Sequence, residues 1–328
     1  AALPVAVDAM GGDKAPDEIV AGARRVAEER GIAVVLVGAP EAIGDAGGLP
    51  VIPASEVIGM EDDPAQGVRR KKDASLVRAA EAVRDGRAMA MVSAGNTGAT
   101  MASALLRMGR LPHVHRPAIA TPIPDLNRAW PTVFLDAGAN AECTTPMLVQ
   151  FAQMGAAYAH LRYGVDRPRL ALLSIGEERT KGTPLVREVH EALAAGAGGP
   201  GLDFVGNVEG RNFFDDLADV IVTDGFTGNV TLKTLEGSMR FLVGALMGIL
   251  GKPDVKEAAD ALMPHLLPLA ATLDPDSTGG AMLLGVDGVC VISHGSSSAA
   301  AMANAIGVAH DLAVAGLVDD LAAAVTPT

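Results

Sequence analysis

Cysteine is scarce in this chain, with only Cys143 and Cys290 among 328 residues. Two cysteines supply neither a disulfide framework nor a full set of ligands for a structural zinc ion. Cys290 lies inside an apolar run and is expected in the core. Cys143 lies just before a predicted helix, where a thiol pKa can fall, but no histidine is close in sequence to activate it.

Aromatic residues make up only 3% of the chain, although 49% of it is hydrophobic. Aliphatic residues, alanine and methionine must therefore fill the core, as is typical of buried parallel strands covered by helices. No run of about 18 uninterrupted apolar residues is present, which argues against a membrane-spanning helix. The first residues lead into a strand and show no signal peptide. We expect a soluble, cytoplasmic protein.

Basic residues are outnumbered, with 26 Lys and Arg against 39 Asp and Glu, and the net charge is −13. Because binding to nucleic acid needs a broad basic surface, we expect no nucleic-acid partner. The densest basic patch is Arg69, Arg70, Lys71 and Lys72. Such a patch suits the docking of an acidic partner.

Three common catalytic or nucleotide-binding motifs are also absent: the Walker A loop, His-Glu-x-x-His and Gly-x-Ser-x-Gly. Residues 196–201 match Gly-x-Gly-x-x-Gly, but they follow a helix and precede a strand. The dinucleotide fingerprint requires the reverse order. His113 and His115 alone are too few for a metal site. We therefore expect neither a metal nor another cofactor.

The chain does contain a repeated alternation of short apolar runs and helical patterns. Residues 5–7 and 89–92 are such runs, and residues 17–30 and 75–84 are such helices. This alternation predicts an α/β fold, a three-layer α/β/α sandwich with a mostly parallel sheet. No disordered linker or repeat divides the chain, so we expect residues 1–328 to form a single domain.

One region, residues 229–273, has no strand pattern. It contains two helical stretches that are broken near residues 251–253, and their apolar residues recur every three or four positions. These residues are Leu235, Met239, Leu242, Val243, Leu246, Met247, Leu250, Leu262, Leu266, Leu269 and Leu273. We predict a helical hairpin over about 230–274 that projects from the body. Its apolar stripe packs against the body or a twin subunit, or it contacts an acyl chain or a membrane surface.

Six apolar runs end in a polar loop that contains glycine or precedes a helix. These loops are residues 8–13, 93–98, 136–140, 176–182, 224–229 and 294–297. In an open α/β sheet, ligands bind beyond the carboxyl ends of the strands. The six loops therefore predict one shared cleft at one edge of the sheet.

The loop at residues 93–98 best fits an anion such as phosphate. Its glycines let the backbone approach a ligand closely, and the free N–H groups at a helix start attract negative charge. Ser93, Asn96, Thr97 and Gly98 are the candidate phosphate-binding residues. The alternative is an ordinary helix start capped by Asn or Thr.

The other loops supply further candidates for substrate binding: Asp8, Gly11, Gly12, Asp136, Asn140, Asn207, Glu209 and Asp224. The alternative for their polar side chains is turn formation or helix capping. Lys181 is suited to neutralise a phosphate or an oxyanion. Lys233 lies one helical turn beyond Asn229, and His294 is either an acid or base or a structural residue. We predict catalytic roles for Lys181, Asn229, Lys233 and His294.

Taken together, the loop motifs resemble the bacterial phosphate acyltransferase family of phospholipid synthesis, the PlsX type. In order along the chain they are DAMGGD, RRKKDAS, SAGNTGA, LDAGAN, GEERTKG, GNVEGR, DGFTGNVTLKTLEG, GGAMLLGV and SHGSS. Each motif alone is weak, but nine in order over nearly the whole chain are specific. Lys14 and Met282 depart from the usual pattern, which puts an acid or base role of position 14 in doubt.

The resemblance implies transfer of a long-chain acyl group from acyl carrier protein to inorganic phosphate, without a cofactor. The acyl-phosphate would then serve a membrane glycerol-3-phosphate acyltransferase. The resemblance also implies a fold like that of phosphotransacetylases and isocitrate or isopropylmalate dehydrogenases, a homodimer formed through projecting helices, and peripheral membrane association. The basic candidates for carrier-protein docking are Arg69, Arg70, Lys71, Lys72, Arg240, Lys252 and Lys256.

Three alternative functions stay open at this point. A short-chain phosphotransacetylase would share the fold and the phosphate but use acyl-CoA. A decarboxylating dehydrogenase would need metal-binding carboxylates and a nicotinamide cofactor. A non-catalytic scaffold at the membrane surface would bind partners and form no acyl-phosphate.

Overall fold

The structure is a computed structural model, and it describes residues 3–126, 128–199, 201–273 and 278–325. Its strands are β1 Val5–Asp8, β2 Val34–Gly38, β3 Val51–Pro53, β4 Ala90–Ser93, β5 Ala118–Ile123, β6 Thr132–Leu135, β7 Arg169–Ser174, β8 Asp203–Glu209, β9 Val220–Val222, β10 Ala281–Leu284 and β11 Val289–Ile292.

The α-helices follow the predicted alternation. They are α1 Asp17–Arg30, α2 Pro40–Ile43, α3 Pro64–Arg70, α4 Ser75–Arg84, α5 Thr97–Ser103, α6 Thr145–Tyr163, α7 Pro184–Ala194, α8 Gly225–Leu250, α9 Lys256–Leu273, α10 Ala299–Val314 and α11 Leu317–Val325. A π-helical turn, Ala104–Met108, extends α5, and 3-10 turns cover Gly210–Phe214 and Pro253–Val255.

All the strands join one sheet in the order β3-β2-β1-β4-β11-β10-β5-β6-β9-β7-β8. Seven of its ten strand pairings are parallel, and the three antiparallel pairings are consecutive: β11 with β10, β10 with β5, and β5 with β6. The strands from β3 to β11 therefore run opposite to the strands from β6 to β8. The mostly parallel α/β sheet predicted from the sequence is confirmed.

This reversal changes the predicted position of the polar loops. The carboxyl ends of β1, β4 and β11 belong to one half of the sheet, and those of β6, β7, β8 and β9 belong to the other. The carboxyl ends of the two halves therefore do not lie along one edge of the sheet, as we predicted, because the two halves run in opposite directions. Local periodicity carries no information on strand direction, which depends on pairings between distant segments.

The register nevertheless brings ends from both halves towards the middle of β5. Ile292, the last residue of β11, pairs with Ala281, and the next residue of β10 pairs with Ala120 of β5. Thr121 of β5 pairs with Phe134, one residue before the end of β6. The first half of β5 thus belongs to one set of strands and its second half to the other. The loops after both sets begin near this junction.

Helices cover both faces of the sheet, as the predicted sandwich requires. In β1, Val5 and Val7 pack with α1 and α10 in one core, whereas Ala6 faces α4 and α5 in another. This alternation follows from the two-residue period of a strand. A third core, around Phe134, Ile221 and Phe213, covers the other half of the sheet. Cys290 lies in the second core, as expected.

The predicted hairpin is present and extends slightly further towards the N-terminus, because α8 begins at Gly225. Among the α8 residues, only Gly225 and Gly228 are buried. The exposed apolar side chains include Phe241, 78% exposed, and Leu242, 61% exposed. The outer part of the predicted apolar stripe, which includes Leu242 and Leu246, is thus exposed in one copy of the chain. At the start of the stripe, Leu235 packs against the third core, so the predicted packing against the body is observed there.

No single helix within the described ranges is long and apolar enough to cross a membrane. The bent pair of α10 and α11, which meet at 61°, reaches the required length and composition together. Most of the apolar residues of α10, including Met302 and Ile306, are buried in the core.

Candidate functional site

The first group of loops follows β1, β4 and β11, and a buried carboxylate organises it. Asp8 is 2% exposed, and its oxygens accept hydrogen bonds from the Ser93 hydroxyl at 2.7 Å and the Met10 amide at 3.2 Å. Burial raises the pKa of Asp8, and hydrogen bonds from Ser75 and Ser93 oppose that rise. These hydrogen bonds show that Asp8 holds the loops together, and its role in substrate binding stays a prediction.

Glycines let these loops pack backbone against backbone. A Cβ atom on Gly11 would lie 2.5 Å from the Asp8 carboxylate and 2.8 Å from the Gly95 amide. Gly12 has a φ of +106°, in the left-handed region that favours glycine. The Asp13 amide then donates to the Gly295 carbonyl at 2.8 Å, which joins the β1 and β11 loops. The predicted convergence of these three loops is confirmed by these contacts.

The predicted phosphate loop divides into positioning residues and open donors. Ser93 is buried, and it donates to Asp8 and accepts from the Gly95 amide at 3.0 Å. Asn96 accepts from the Ala99 amide at 3.0 Å and donates to the Met60 carbonyl at 3.0 Å, so its amide caps α5 and holds the neighbouring loop. A cap of this type was the alternative reading of the sequence.

The remaining donors of that loop are available to a ligand. Thr97 is exposed and Gly98 is half-buried. Within the described part of the chain, their backbone N–H groups have no hydrogen-bond partner. Free N–H groups at a helix start attract anions. Thr97 and Gly98 therefore remain candidates for phosphate contact, and Ser93 and Asn96 hold them in place.

The second group of loops follows β6 and β9. Asp136 is fully buried, and its carboxylate accepts hydrogen bonds from the amides of Ile119, Gly138, Ala139 and Asn140 at 2.8 to 3.1 Å. Burial raises the pKa of Asp136 and these hydrogen bonds lower it. Like Asp8, this predicted ligand-binding residue is enclosed by its own loop.

Asn140 also serves the loop. Its side chain donates to Asp136 at 2.9 Å and to the Pro117 carbonyl at 2.8 Å, and its carbonyl accepts from the Gly225 amide at 2.8 Å. The predicted role of Asn140 as a direct substrate ligand gains no support from these contacts. Its bonds instead join the β6 loop to β5 and to the start of α8.

Asp224 and Asn229 lie where α8 begins. Asp224 caps that helix, because its carboxylate accepts from the amide and the hydroxyl of Thr227, both at 2.8 Å. Asn229 is exposed and donates to the Ala137 carbonyl at 3.3 Å, which leaves its side-chain oxygen open. A Cβ on Gly228 would overlap the Asp136 carbonyl oxygen, so α8 meets the β6 loop closely there. Asn229 is the residue of this group that faces solvent.

The third group surrounds Lys181, in the loop after β7. The Lys181 amide donates to the Glu178 carbonyl at 2.9 Å, and its exposed side chain forms no ion pair with another described residue. Asn207, 6% exposed, donates to the same Glu178 carbonyl at 3.1 Å. His190 contacts the Asn207 side-chain oxygen at 2.9 Å. Asn207 therefore positions the Lys181 loop, and Lys181 has a free ammonium group.

Sequence reasoning missed three of these structural partners: Ser75, His190 and the segment around Met60. Ser75, the first residue of α4, is 1% exposed and bonds to Asp8. His190 lies in the middle of α7 and packs edge-on against Phe204, with ring centroids 5.1 Å apart. Their local sequences contain no loop motif, so only tertiary packing reveals their role.

Three further predicted site residues, Lys233, Glu209 and His294, have side-chain partners close to them in sequence. The ammonium of Lys233 pairs with Glu236 at 2.9 Å on the same helix. Glu209 pairs with Arg211 at 2.9 Å and closes the turn after β8 with Asn212. His294 is exposed, and its Nδ1 atom contacts the Ser296 hydroxyl at 2.8 Å. The pairing of Lys233 explains why its charge is less available than that of Lys181.

The predicted docking residues also differ in availability. Lys71 is held by Asp62 at 2.6 Å and by the Val57 carbonyl at 2.8 Å, so its charge is less available than those of the other six, and its docking role stays a prediction. The other six are exposed and form no ion pair in the described ranges: Arg69, Arg70, Lys72, Arg240, Lys252 and Lys256. A basic surface therefore remains on α3 and on the hairpin.

No covalent nucleophile stands out in these loop groups. Burial raises the pKa of Cys143 to about 11, and its thiol contacts the Asn140 carbonyl. Burial likewise raises the pKa of Cys290 to about 12. Over the described residues, no group of three or more His, Cys, Asp or Glu side chains is arranged to hold a metal ion. The open groups are backbone donors, an amide and an ammonium, which suit anion binding and oxyanion stabilisation.

The fold is that of the phosphotransacylases. A phosphotransacetylase from Streptococcus pyogenes matches the structure with a TM-score of 0.64, covering 95% of this chain and 94% of that one, at 18% identity. The EutD phosphotransacetylase from Staphylococcus aureus matches with a TM-score of 0.62, covering 95% and 94%, at 16% identity. At such low identity the likeness concerns the fold alone.

Sequence comparison defines the family more closely. A family model described as "Fatty acid synthesis protein" matches residues 3–319. The phosphate acyltransferase of Heliobacterium modesticaldum is 47% identical over 323 residues, covering 94% of this chain and 93% of that protein. That of Elusimicrobium minutum is 45% identical over 329 residues, covering 97% and 95%. The chain belongs to the phosphate acyltransferase family, which confirms the resemblance found in the sequence motifs.

Proposed function

We propose that this chain transfers a long-chain acyl group from acyl carrier protein to inorganic phosphate. The product, an acyl-phosphate, would enter phospholipid synthesis as the substrate of a membrane glycerol-3-phosphate acyltransferase. The observation that carries this proposal is the identity of 47% to a phosphate acyltransferase across 94% of the chain. That identity supports acyl transfer to phosphate. The carrier protein as acyl donor and the membrane enzyme that uses the product are further parts of the proposal.

The chemistry requires an anion site next to a thioester. A phosphate oxygen attacks the carbonyl carbon and forms a tetrahedral oxyanion. The carbon–sulfur bond then breaks, and the thiolate leaves and takes a proton from water. Because a thiol pKa is about 8.5, the thiolate is a tolerable leaving group without a strong general acid. The enzyme therefore has to orient the reactants and stabilise the oxyanion.

The open groups of the site supply these two functions. The free N–H groups of Thr97 and Gly98 are placed to hold phosphate at the start of α5. Lys181 and Asn229 are the open polar groups at the ends of β7 and β9, and they are suited to stabilise the oxyanion. His294 is exposed beside the Ser293–Ser297 hydrogen bond, and it completes the set at the end of β11. No covalent acyl-enzyme is needed.

The test is to incubate the purified chain with palmitoyl carrier protein and labelled phosphate. We expect a labelled, hydroxylamine-sensitive acyl-phosphate to form together with free carrier-protein thiol. An acyl-length series decides against the short-chain alternative, since a phosphotransacetylase would prefer acetyl-CoA. If partner proteins bind but no acyl-phosphate forms with any donor, the scaffold alternative replaces this proposal.

The uncovered hairpin supports a homodimer and a peripheral membrane contact. Phe241 and Leu242 lie on α8 with most of their surface exposed, and exposed apolar patches of this kind mark interaction surfaces. We propose that two copies pair through the hairpins and that the cytoplasmic dimer associates with the membrane surface there. The basic residues Arg240, Lys252 and Lys256 would then lie near anionic lipid or near the acidic carrier protein.

Light scattering of Phe241→Glu tests the dimer. We expect twice the chain mass for the wild type and the mass of one chain for the variant, with an unchanged circular dichroism spectrum. Val314→Glu, at a 66% exposed apolar position on α10, serves as the matched control and should remain dimeric. A variant that stays dimeric would place the dimer contact elsewhere.

A further inference from the structure

A pocket with one polar side and one apolar side lies at the amino end of β5. Its volume is about 510 Å³, within the range typical of small-molecule sites. The lining residues come from the π-helical turn, the segment before β5 and the start of α6: Leu105, Leu106, Arg110, His115, Arg116, Thr144 and Met147. None of the predicted site residues lines this pocket.

The pocket is basic on one side and contains no carboxylate. Arg116 is exposed and forms no ion pair with any described residue. Arg110 is held against the carbonyls of Val114 and His115, which fixes its direction. In a chain with a net charge of −13, two arginines and a histidine free of acidic neighbours in the lining indicate an anionic ligand.

The orientation of His115 is fixed by a buried side chain. Gln150, 9% exposed, accepts hydrogen bonds through one oxygen from both the backbone amide and Nδ1 of His115, each at 2.8 Å. Because that oxygen accepts from the backbone amide, Nδ1 must carry a hydrogen, and Nε2 is the free ring nitrogen. The Gln150 side chain in turn donates to the His113 carbonyl at 2.7 Å.

The opposite side of the pocket is apolar. Leu106 is 53% exposed, and Met147 lies in the first turn of α6. Thr144 precedes that helix but makes no side-chain cap, so it does not block the free amides of the first turn. A ligand with a flexible, partly apolar body and one anionic end fits both sides of this pocket.

Hydrogen bonds connect this pocket to the loop that carries Asp136. The Asn140 side chain donates to the carbonyl of Pro117, the residue that follows Arg116. The Cys143 thiol contacts the carbonyl of Asn140, and Thr144 is the next residue. One end of the pocket thus adjoins the loop that carries Asp136 and supports Asn229, and the other end opens to solvent.

We propose that this pocket binds the phosphopantetheine arm of the acyl donor, with Arg116 and Arg110 contacting its phosphate. The proposal rests on the function proposed above and identifies where the donor enters. The arm joins a thioester to a phosphate through an extended amide chain. Its phosphate would lie at the solvent end, and its thioester would reach towards Lys181 and Asn229. Both acyl carrier protein and acyl-CoA carry this arm.

The test compares palmitoyl-phosphopantetheine with palmitoyl-pantetheine, which lacks the phosphate. Arg116→Gln should raise KM for the phosphorylated donor about tenfold, as expected for one charge-assisted contact, and leave KM for the other donor unchanged. Arg167→Gln is the matched control, because Arg167 is 70% exposed and pairs with Asp203 away from the pocket. Equal effects on both donors, or no effect, would overturn the assignment.

Two further measurements distinguish the carrier protein from CoA as donor, and distinguish a wrong pocket assignment from a wrong proposed function. Palmitoyl carrier protein and palmitoyl-CoA should both show the increase in KM, and an increase confined to the carrier protein would instead assign Arg116 to protein docking. Calorimetry should show that phosphopantetheine binds more tightly than pantetheine to the wild type, and that this difference becomes smaller in Arg116→Gln because only Arg110 remains. Equal binding to the wild type overturns the pocket assignment, whereas absent acyl-phosphate formation despite selective binding overturns the proposed function.

Discussion

The loops after β1, β4 and β11 and the loop after β7 are held in different ways. The first group is joined by direct backbone contacts and by the buried carboxylate of Asp8. The Lys181 loop is held through two carbonyls: that of Glu178, which accepts from Asn207 and the Lys181 amide, and that of Gly182, which accepts from Arg187. The predicted phosphate loop is therefore built rigidly, whereas the positive charge is carried by an exposed side chain with fewer constraints.

Under the function proposed above, this difference would give the two substrates sites of different rigidity. A small anion with fixed shape benefits from donors that do not move, because no reorganisation is then needed. A long thioester donor must enter and leave, and a charge on an open loop can meet it without closing the site. The two regions should accordingly respond differently to substitution, in stability for the first and in turnover for the second.

The largest effect is expected at Lys181. Lys181→Ala should lower kcat about a hundredfold, because it removes the open positive charge from the site. The midpoint of thermal unfolding should change little, since the ammonium pairs with no described carboxylate. Steady-state kinetics with palmitoyl carrier protein measure the effect. Lys181→Arg keeps the charge and should recover part of the rate, and a fully active alanine variant would remove Lys181 from the site.

The next largest effect should be on stability, at Asp136. Asp136→Asn turns an NH₂ group towards N–H donors and should lower the free energy of unfolding by about 2 kcal/mol. Urea denaturation measures this change. Asp224→Asn is the matched control, because asparagine caps a helix as well as aspartate does. Similar losses in both variants would contradict the distinction between a loop-organising and a capping carboxylate.

A smaller effect is expected at Asn207, which contributes to the structure of the Lys181 loop and through it to turnover. Asn207→Ala removes the support of the Glu178 carbonyl and should lower kcat about tenfold through misplacement of Lys181. His190→Phe keeps the packing against Phe204 but loses the contact to Asn207, so it should show part of the same loss. If KM alone changes in both variants, the network serves binding instead of positioning.

The smallest effect is expected at Cys143. Because burial raises the pKa of its thiol to about 11, the group stays protonated at neutral pH and should alkylate slowly. The alkylation rate should rise about tenfold per pH unit from about pH 8 to 10, as the thiolate fraction grows. Cys143→Ala should keep its activity within about twofold. Loss of activity in that variant would reopen a covalent mechanism.

Much of the fold follows from local pattern. The sequence predicts the alternation of strands and helices and the hairpin after residue 229. Its motifs also indicate the family. The direction of the strands beyond β10 was not predicted, because it depends on the antiparallel pairing of β10 with β5, two segments more than 150 positions apart. The prediction of one common edge failed at this point.

The candidate site was predicted less well than the fold, for a physical reason. Aspartate next to glycine has the same sequence pattern whether it binds a ligand or organises a turn. In the structure Asp8 and Asp136 are buried and hydrogen-bonded to their own loops, and Asp224 caps α8, which the local sequence pattern does not reveal. Lys181 and Lys233 were both predicted to be catalytic. In the structure the ammonium of Lys233 pairs with Glu236, whereas that of Lys181 pairs with no described carboxylate.

The long strand β5 has a mechanical consequence. Its first three residues pair with β10 and its last three with β6, so the two opposed sets of strands are connected in the sheet through this strand. A change in the backbone torsion angles near Ala120 and Thr121 would rotate one set of strands relative to the other. Because the loops after β4 and β7 belong to opposite sets, such a rotation would change the distance between them.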